Sequence, residues 1–264
     1  MEWWLGYLAI GAFVGFFAGL LGIGGGAVIV PLLAMSFDAQ GLPRGHLMHL
    51  AVGTSMCTIL FTSLSSVRAH ALRGSIRWDV ARNMTPGILI GGLAGSGMAS
   101  RFSTFGLAAA FAVIVYFAAV NILLERQPSP GRSLPGASGM FAAGFVISGV
   151  SSLVAMGGAF MSLPYMLWCN VPMRQAIGSA AAIGFPIALV GTAGYLFIGW
   201  HAPGLPDWSL GYVYLPALAG VSVASVLVAP LGATASHRLR TRLLQRIYGV
   251  LLLVLATKML VNLW

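Results

Sequence analysis

Two glycine clusters are the part of this sequence best suited to chemistry. Gly22-Ile23-Gly24-Gly25-Gly26 and Met156-Gly157-Gly158-Ala159 each interrupt a long charge-free apolar stretch, residues 3–37 and 133–173. As one straight helix the first stretch would reach about 52 Å, far beyond a bilayer core of about 30 Å. Consecutive glycines also cost a helix interior roughly 1 kcal/mol each. Each stretch is therefore expected to be two helical pieces joined by an unwound turn. Such a turn frees backbone N–H groups and aims a helix N-terminus, about half a positive charge, at the break. Unwound backbone at membrane depth is tolerated where it is buried in protein or lines a cavity. Gly24, Gly25, Gly26, Gly157 and Gly158 are thus candidates for binding a small anion through backbone alone. The competing reading is close helix packing through small residues.

Hydroxyls come next. Thr54, Thr58, Thr62 and Ser65 recur at three- and four-residue spacing and share one helical face. They either line a polar path or bond back to their own helix carbonyls. Thr54 and Ser55 follow the first glycine motif closely, and Ser179 occupies the matching position after the second, so all three join the candidates. His46, His49, His70, His201 and His237 fall at expected span ends, where interfacial or capping roles are usual. Arg68 and His70 are better placed to gather an anion at an entrance. Cys57 and Cys169 lie in apolar stretches with no CxxC or histidine-rich spacing, so neither metal nor cofactor is expected. Gly136-Ala137-Ser138-Gly139 matches the GxSG pattern of intramembrane serine proteases, which need a histidine within reach. His201 is expected on the opposite side and His237 in an arginine-rich loop. No paired acids occur inside the spans either, and an enzyme is not expected.

The elements that must position these residues follow from composition. The 264 residues are 58% hydrophobic and 7% charged, against about 25% charged in soluble domains, and the mean hydropathy is +0.91. Too little charge is present to coat a surface facing water. Fourteen Lys and Arg against five acids give +9. In a soluble protein that balance would suggest nucleic acid; here basic loops on the cytoplasmic side of a membrane explain it. The apolar run at the N-terminus lacks a basic leader and is too long for a removable signal, so none is expected.

The charge-free intervals are 3–37, 45–67, 83–100, 102–124, 133–173, 175–206, 208–236 and 247–257, the last extended by its flanks to about 240–263. The halves are copies. Gly24–Pro31 aligns with Gly157–Pro164, His49–Ser55 with Arg174–Ala180, and Gly95–Phe102 with Gly232–Leu239. If each glycine-broken segment crossed the membrane once, the halves would be parallel and the arginines would divide seven against six. If each is a hairpin that enters and returns, the halves are inverted. Then eleven basic residues share one side and only Arg44 and Arg101 the other. The positive-inside rule selects the second arrangement. The expected fold is an all-α polytopic membrane protein of two inverted-topology repeats, each a glycine-broken helical hairpin plus three spanning helices. Residues 1–124 form the first repeat, 125–138 a cytoplasmic linker and 139–264 the second repeat, with both termini periplasmic. This is the usual build of secondary transporters.

At Gly19-Leu20-Leu21-Gly22-Ile23-Gly24-Gly25-Gly26 with Pro31, at Ala51-Val52-Gly53-Thr54-Ser55, and from Arg68-Ala69-His70 to Trp78, the chain resembles the TauE/SafE sulfite exporter family, also called the four-toluenesulfonate uptake permease family. The resemblance runs over essentially the full chain. It implies a bacterial inner-membrane permease for small sulfur-containing anions such as sulfite, sulfoacetate and related organosulfonates. The second half departs from the pattern: Ala155-Met156-Gly157-Gly158-Ala159 stands where a second GIGGG is expected, preceded by Ser151-Ser152, and Ala180 stands where serine is expected. A narrower or less polar second half-site is the expectation. The partners implied are a small anion and the lipid bilayer; another small carboxylate or oxyanion remains open as cargo, as does a homodimer.

No Asp, Glu, Lys or Arg falls in the middle of any span except Lys258, which lies near enough to an end to snorkel. Proton-coupled carriers usually keep an ionisable group along the path. Transport is therefore expected to be driven by the membrane potential, which favours export of an anion by about 2.3 kcal/mol per charge at 100 mV.

Overall fold

The computed structural model describes residues 2–21, 25–124, 131–236 and 241–263, with side chains described for residues 3–18, 25–124, 131–231 and 246–263. Among the described residues there are ten α-helices: α1 Glu2–Leu21, α2 Gly26–Ala39, α3 Leu47–Leu72, α4 Trp78–Ala99, α5 Thr104–Leu123, α6 Ala137–Val154, α7 Ala159–Trp168, α8 Met173–Gly199, α9 Leu215–Ser236 and α10 Thr241–Leu263. Both overlong apolar stretches break at glycine, as expected: α1 gives way to α2 before Gly26, and α6 to α7 between Val154 and Ala159. Among the described residues five helical segments are long and apolar enough to cross a membrane: 44–72, 104–123, 137–154, 173–199 and 246–263. Helix α4 falls short of that standard because Trp78, Asp79, Arg82 and Asn83 fill its first two turns.

One element departs from the all-α expectation. Between α8 and α9, β1 (Ser209–Leu210) and β2 (Val213–Tyr214) pair antiparallel, Ser209 opposite Tyr214. The two-residue turn between them needs positive φ at its first position, and Gly211 supplies it at 53°. Apolar residues this close together read as the start of a span in the sequence, and the turn chemistry overrides them.

Each broken segment is a hairpin. Tyr7 Oη donates to Gln40 Oε1 at 2.8 Å, tying the start of α1 to the end of α2. The N–H groups of Gly131 and Arg132, just before α6, donate to the Trp168 carbonyl at the end of α7. Helices α3 and α8 lie antiparallel. Gly53 early in α3 abuts the Tyr212 carbonyl beyond the end of α8, while Gly178 early in α8 abuts the Ser75 carbonyl beyond the end of α3. Helices α5 and α10 are antiparallel as well, with Gly249 against Leu123 and Tyr116 Oη 2.8 Å from Thr257 Oγ1.

Small residues bring the remaining helices to backbone contact. On α4, Gly87, Gly91 and Gly95 lie at four-residue spacing against the carbonyls of Phe141, Phe145 and Gly149 on α6. On α1, Gly11 and Gly15 meet the carbonyls of Val221 and Ser225 on α9, and a methyl group at either would come within 2.5 Å of oxygen. With no hydrophobic force between helices in lipid, such close approach through dispersion is what holds a bundle together.

The bundle has two chemically different ends. At one lie Arg68, Arg73, Arg77, Arg82, Arg132, Arg174 and Arg246, with Asp79 paired to Arg77. At the other lie Arg44, paired to Asp38 at 3.2 Å, and, separately, Arg101 and Asp207. Exposed tryptophans mark both rims, Trp78 and Trp168 at the basic end and Trp3, Trp4, Trp200 and Trp208 at the other. Tryptophan favours both membrane–water interfaces. Between the rims the surface is apolar, carrying Leu64, Ile90, Val113, Phe117, Phe145, Phe197 and Leu227 among others. The molecule is a multi-pass helical membrane protein.

Candidate functional site at the paired glycine turns

The tips of the two hairpins meet. Gly26, first residue of α2, packs directly on the carbonyl oxygen of Ala155, the residue that ends α6. Ile59 of α3 touches both tips: its Cδ1 lies against Gly26, and its Cγ2 would be 3.6 Å from a methyl group at Gly157. Gly158 lies against Ile187 and Gly184 of α8. Ile59 is the thirteenth residue of the 26-residue α3, and Gly184 the twelfth of the 27-residue α8. The tips therefore sit at half the length of the two central helices, each about 40 Å long.

Helices α2 and α7 both begin at this point, with Gly25 and Gly158 as their N-caps and no side chain capping either. The first turn of an α-helix leaves its leading N–H groups without intrahelical partners, and its dipole puts partial positive charge there. The two poles are not equally exposed. The Ala155 carbonyl, at the negative end of α6, is set against the positive end of α2. Ala155 reaches this geometry in the left-handed region, at φ 47° and ψ 30°, which costs a non-glycine residue about 1–2 kcal/mol. On the aligned register of the two halves, the first carries a glycine, Gly22, at the matching position.

Of the sequence candidates, Gly25, Gly26, Gly157 and Gly158 come together; Gly24 lies outside the described residues. Thr54, Ser55 and Ser179 stand one turn or more away along α3 and α8, and their hydroxyls are engaged. Thr54 Oγ1 accepts from the Tyr214 N–H at 2.9 Å, and Ser179 Oγ accepts from the Arg77 N–H at 2.9 Å. Each hydroxyl thus holds the connection that follows the central helix of the other half. Ser55 donates to the Ala51 carbonyl at 2.6 Å, Thr58 to Thr54 at 2.9 Å and Thr62 to Ile59 at 3.1 Å. For Ser55, Thr58 and Thr62 the back-bonding alternative is the one observed.

Arg68 and His70 lie at the basic end, Arg68 exposed and His70 half-buried with Nδ1 3.0 Å from Ser75 Oγ. Since the Ser75 hydroxyl donates its proton to the His70 carbonyl, the ring must donate through Nδ1. Ser138 is exposed at the start of α6, and His201 is exposed at the opposite end of the bundle, so the protease pairing does not form between them. His237 lies outside the described residues. Among the described residues no group of three or more His, Cys, Asp or Glu could hold a metal ion.

The second half-site, expected to be narrower or less polar, has four buried serines in its hairpin. Ser151 and Ser162 stand one turn from the break on either arm and Ser148 and Ser152 face Gly92 of α4; each is at most 1% exposed, and the hydroxyl of each lacks a hydrogen-bond partner. They were missed because serine in an apolar helix usually bonds back to its own carbonyls, as those of α3 do. The readable signal was the 148/151/152 spacing, which puts three hydroxyls on one face.

Two broken helical hairpins meeting at half the length of the central helices is an arrangement that recurs among secondary transporters. The chain belongs to the sulfite exporter TauE/SafE family, whose profile matches residues 7–259. A Haemophilus influenzae protein described as a probable membrane transporter protein is 34% identical over 254 residues, 96% of each chain. Relatives carrying the same description in Methanocaldococcus jannaschii and Bacillus subtilis are 23% identical over 267 residues and 26% over 200. They cover 92% of both chains in the first case, and 71% of this chain and 76% of the relative in the second. No solved structure matches at comparable significance.

Proposed function

We propose that this protein is a bacterial inner-membrane permease that exports a small sulfur-containing anion, such as sulfite, sulfoacetate or a related organosulfonate. The observation that carries the reading is the contact between the glycine tips at half the length of α3 and α8. The anion binds there to backbone N–H groups at the starts of α2 and α7, contributed by Gly24, Gly25, Gly26, Gly157 and Gly158. Thr54, Ser55 and Ser179 flank this centre, and Arg68 and His70 gather the anion at the entrance. Membership of a family described as sulfite exporters supports the cargo class.

The two halves are inverted repeats. The antiparallel lie of α3 on α8, which occupy equivalent positions in the two halves, supports this. So does the reciprocity of contacts: Gly53–Tyr212 answers Gly178–Ser75, Thr54–Tyr214 answers Ser179–Arg77, and Gly11–Val221 answers Gly144–Met84. The basic end faces the cytoplasm, following the positive-inside rule, which leaves both termini periplasmic.

Among the described residues no charged side chain lies near the paired tips, so the energy source is the membrane potential. Purified protein in liposomes is expected to move sulfite when a potassium-diffusion potential is imposed. The expected accumulation ratio is roughly 50-fold per charge at 100 mV. Movement that follows an imposed pH gradient and ignores the potential would refute the uncoupled mechanism. A panel including acetate and phosphate decides between sulfur anions and other cargo.

A further inference from the structure

The geometry points to a division of labour between the two glycine turns: the second holds the oxygens of the anion through serine hydroxyls, and the first faces its carbon side. This inference rests on the proposed anion site and adds head-group recognition to it. The four hydroxyls are described above as buried and without partners. On the aligned register of the two halves, Ser148, Ser151, Ser152 and Ser162 correspond to Gly15, Ala18, Gly19 and Ile29 of the first. The polarity is one-sided.

Their directions differ from those of ordinary helix serines. Ser148 and Ser152 are oriented toward α4, where a methyl group at Gly92 would come within 2.8 and 3.3 Å of their Oγ atoms. Ser151 precedes Ala155 by four residues and so shares the face that meets Gly26 and Ile59. Ser162 follows Gly158 by four residues, and its N–H donates to the Gly158 carbonyl at 2.9 Å. Ser151 and Ser162 therefore stand one turn from the second glycine break, one on each arm of its hairpin, while Ser148 and Ser152 pack against α4. The N-terminus of α7 is the better pole for an anion, because the start of α2 is already opposed by the Ala155 carbonyl.

The Ser151 and Ser162 hydroxyls, together with the leading N–H groups of α7, suit a group with three oxygens spread around one centre, as in sulfite or a sulfonate. A planar carboxylate offers two oxygens and satisfies fewer of them. Around the first turn Val14, Ala18, Ile29 and Ile59 present only carbon, which fits a hydrogen or a short alkyl substituent on sulfur. The cargo class is thus a small sulfonate with its head toward the second turn.

The test uses reconstituted full-length protein and measures potential-driven sulfite uptake with methanesulfonate and acetate as competitors. Wild type is expected to be inhibited by methanesulfonate at roughly tenfold lower concentration than by acetate. Ser151→Ala and Ser162→Ala are each expected to raise the methanesulfonate half-inhibitory concentration about tenfold while leaving acetate nearly unchanged. Thermal unfolding in detergent serves as the control. Removing an unpartnered hydroxyl leaves stability equal or higher, so lost inhibition at intact stability identifies a ligand contact. If wild type prefers methanesulfonate and a Gly26 variant blocks flux, yet both serine variants keep the wild-type preference, the head-group assignment falls and the anion site stands. If wild type moves no sulfur anion, or prefers acetate, both fall.

Discussion

Replacing Gly26 by alanine tests the meeting of the two tips with the smallest change available. The added methyl group would overlap the Ala155 carbonyl oxygen and approach Ile59 Cδ1 to 2.8 Å. The carbonyl is backbone, held by the left-handed turn that ends α6, and cannot rotate aside as a flexible side chain would. The tips must part by roughly an ångström in a close-packed interior. Overpacking of this kind costs about 1–3 kcal/mol, while alanine at a helix position recovers up to about 1 kcal/mol over glycine. The net loss of stability is therefore expected to be only about 0–2 kcal/mol, and the protein should insert and fold. Flux should suffer more, by roughly tenfold or greater, because donors that converge on one anion lose their common geometry when their supports move. The assay is potential-driven sulfite flux in liposomes, normalised to inserted protein, beside thermal unfolding in detergent. Gly97→Ala, where nothing lies within 4 Å of the new methyl group, is the control expected to transport normally. Wild-type flux in Gly26→Ala, with unchanged unfolding temperature, would refute the tip contact as the transport site.

Three further outcomes are expected. Gly91→Ala drives a methyl group into the Phe145 carbonyl and should destabilise the α4–α6 contact by about 1–3 kcal/mol, read as a lower unfolding temperature than for Gly97→Ala. Thr54→Val and Ser179→Ala each leave a backbone N–H, of Tyr214 or Arg77, without its acceptor. Each should cost about 1–3 kcal/mol; their effects should add, since the two bonds lie at opposite ends of the bundle, and an unshifted unfolding transition would contradict the assignment. In a Cys57→Ser, Cys169→Ser background, Ser133→Cys should be labelled by an impermeant thiol reagent only from the cytoplasm and Asp207→Cys only from the periplasm. The reverse pattern would invert the orientation.

The hairpins show how local chemistry was readable in advance. Three successive glycines in a segment too long for one crossing had to break it, and the break falls there. The same holds for the basic end: charge is so costly in hydrocarbon that the positions of a few arginines mark the loops. What the chain could not reveal was which hydroxyls turn inward to their own helix and which do not. Thr58 and Ser151 look alike as letters in an apolar helix. One bonds to its own backbone, and the other is buried with no partner.

The hairpin 209–214 was likewise hidden, because its residues are as apolar as a span, and only docking of Gly211 on Leu196 explains its turn. By itself the sequence determined a polytopic membrane bundle, its two copied halves, its glycine breaks and its basic face, since each depends on composition or spacing along one segment. The tertiary structure decided that the two tips touch, that Thr54 and Ser179 hold the opposite half, and that the second turn is the more polar one. Those facts depend on which side chains from distant segments share a few ångströms, and spacing along the chain does not encode that distance.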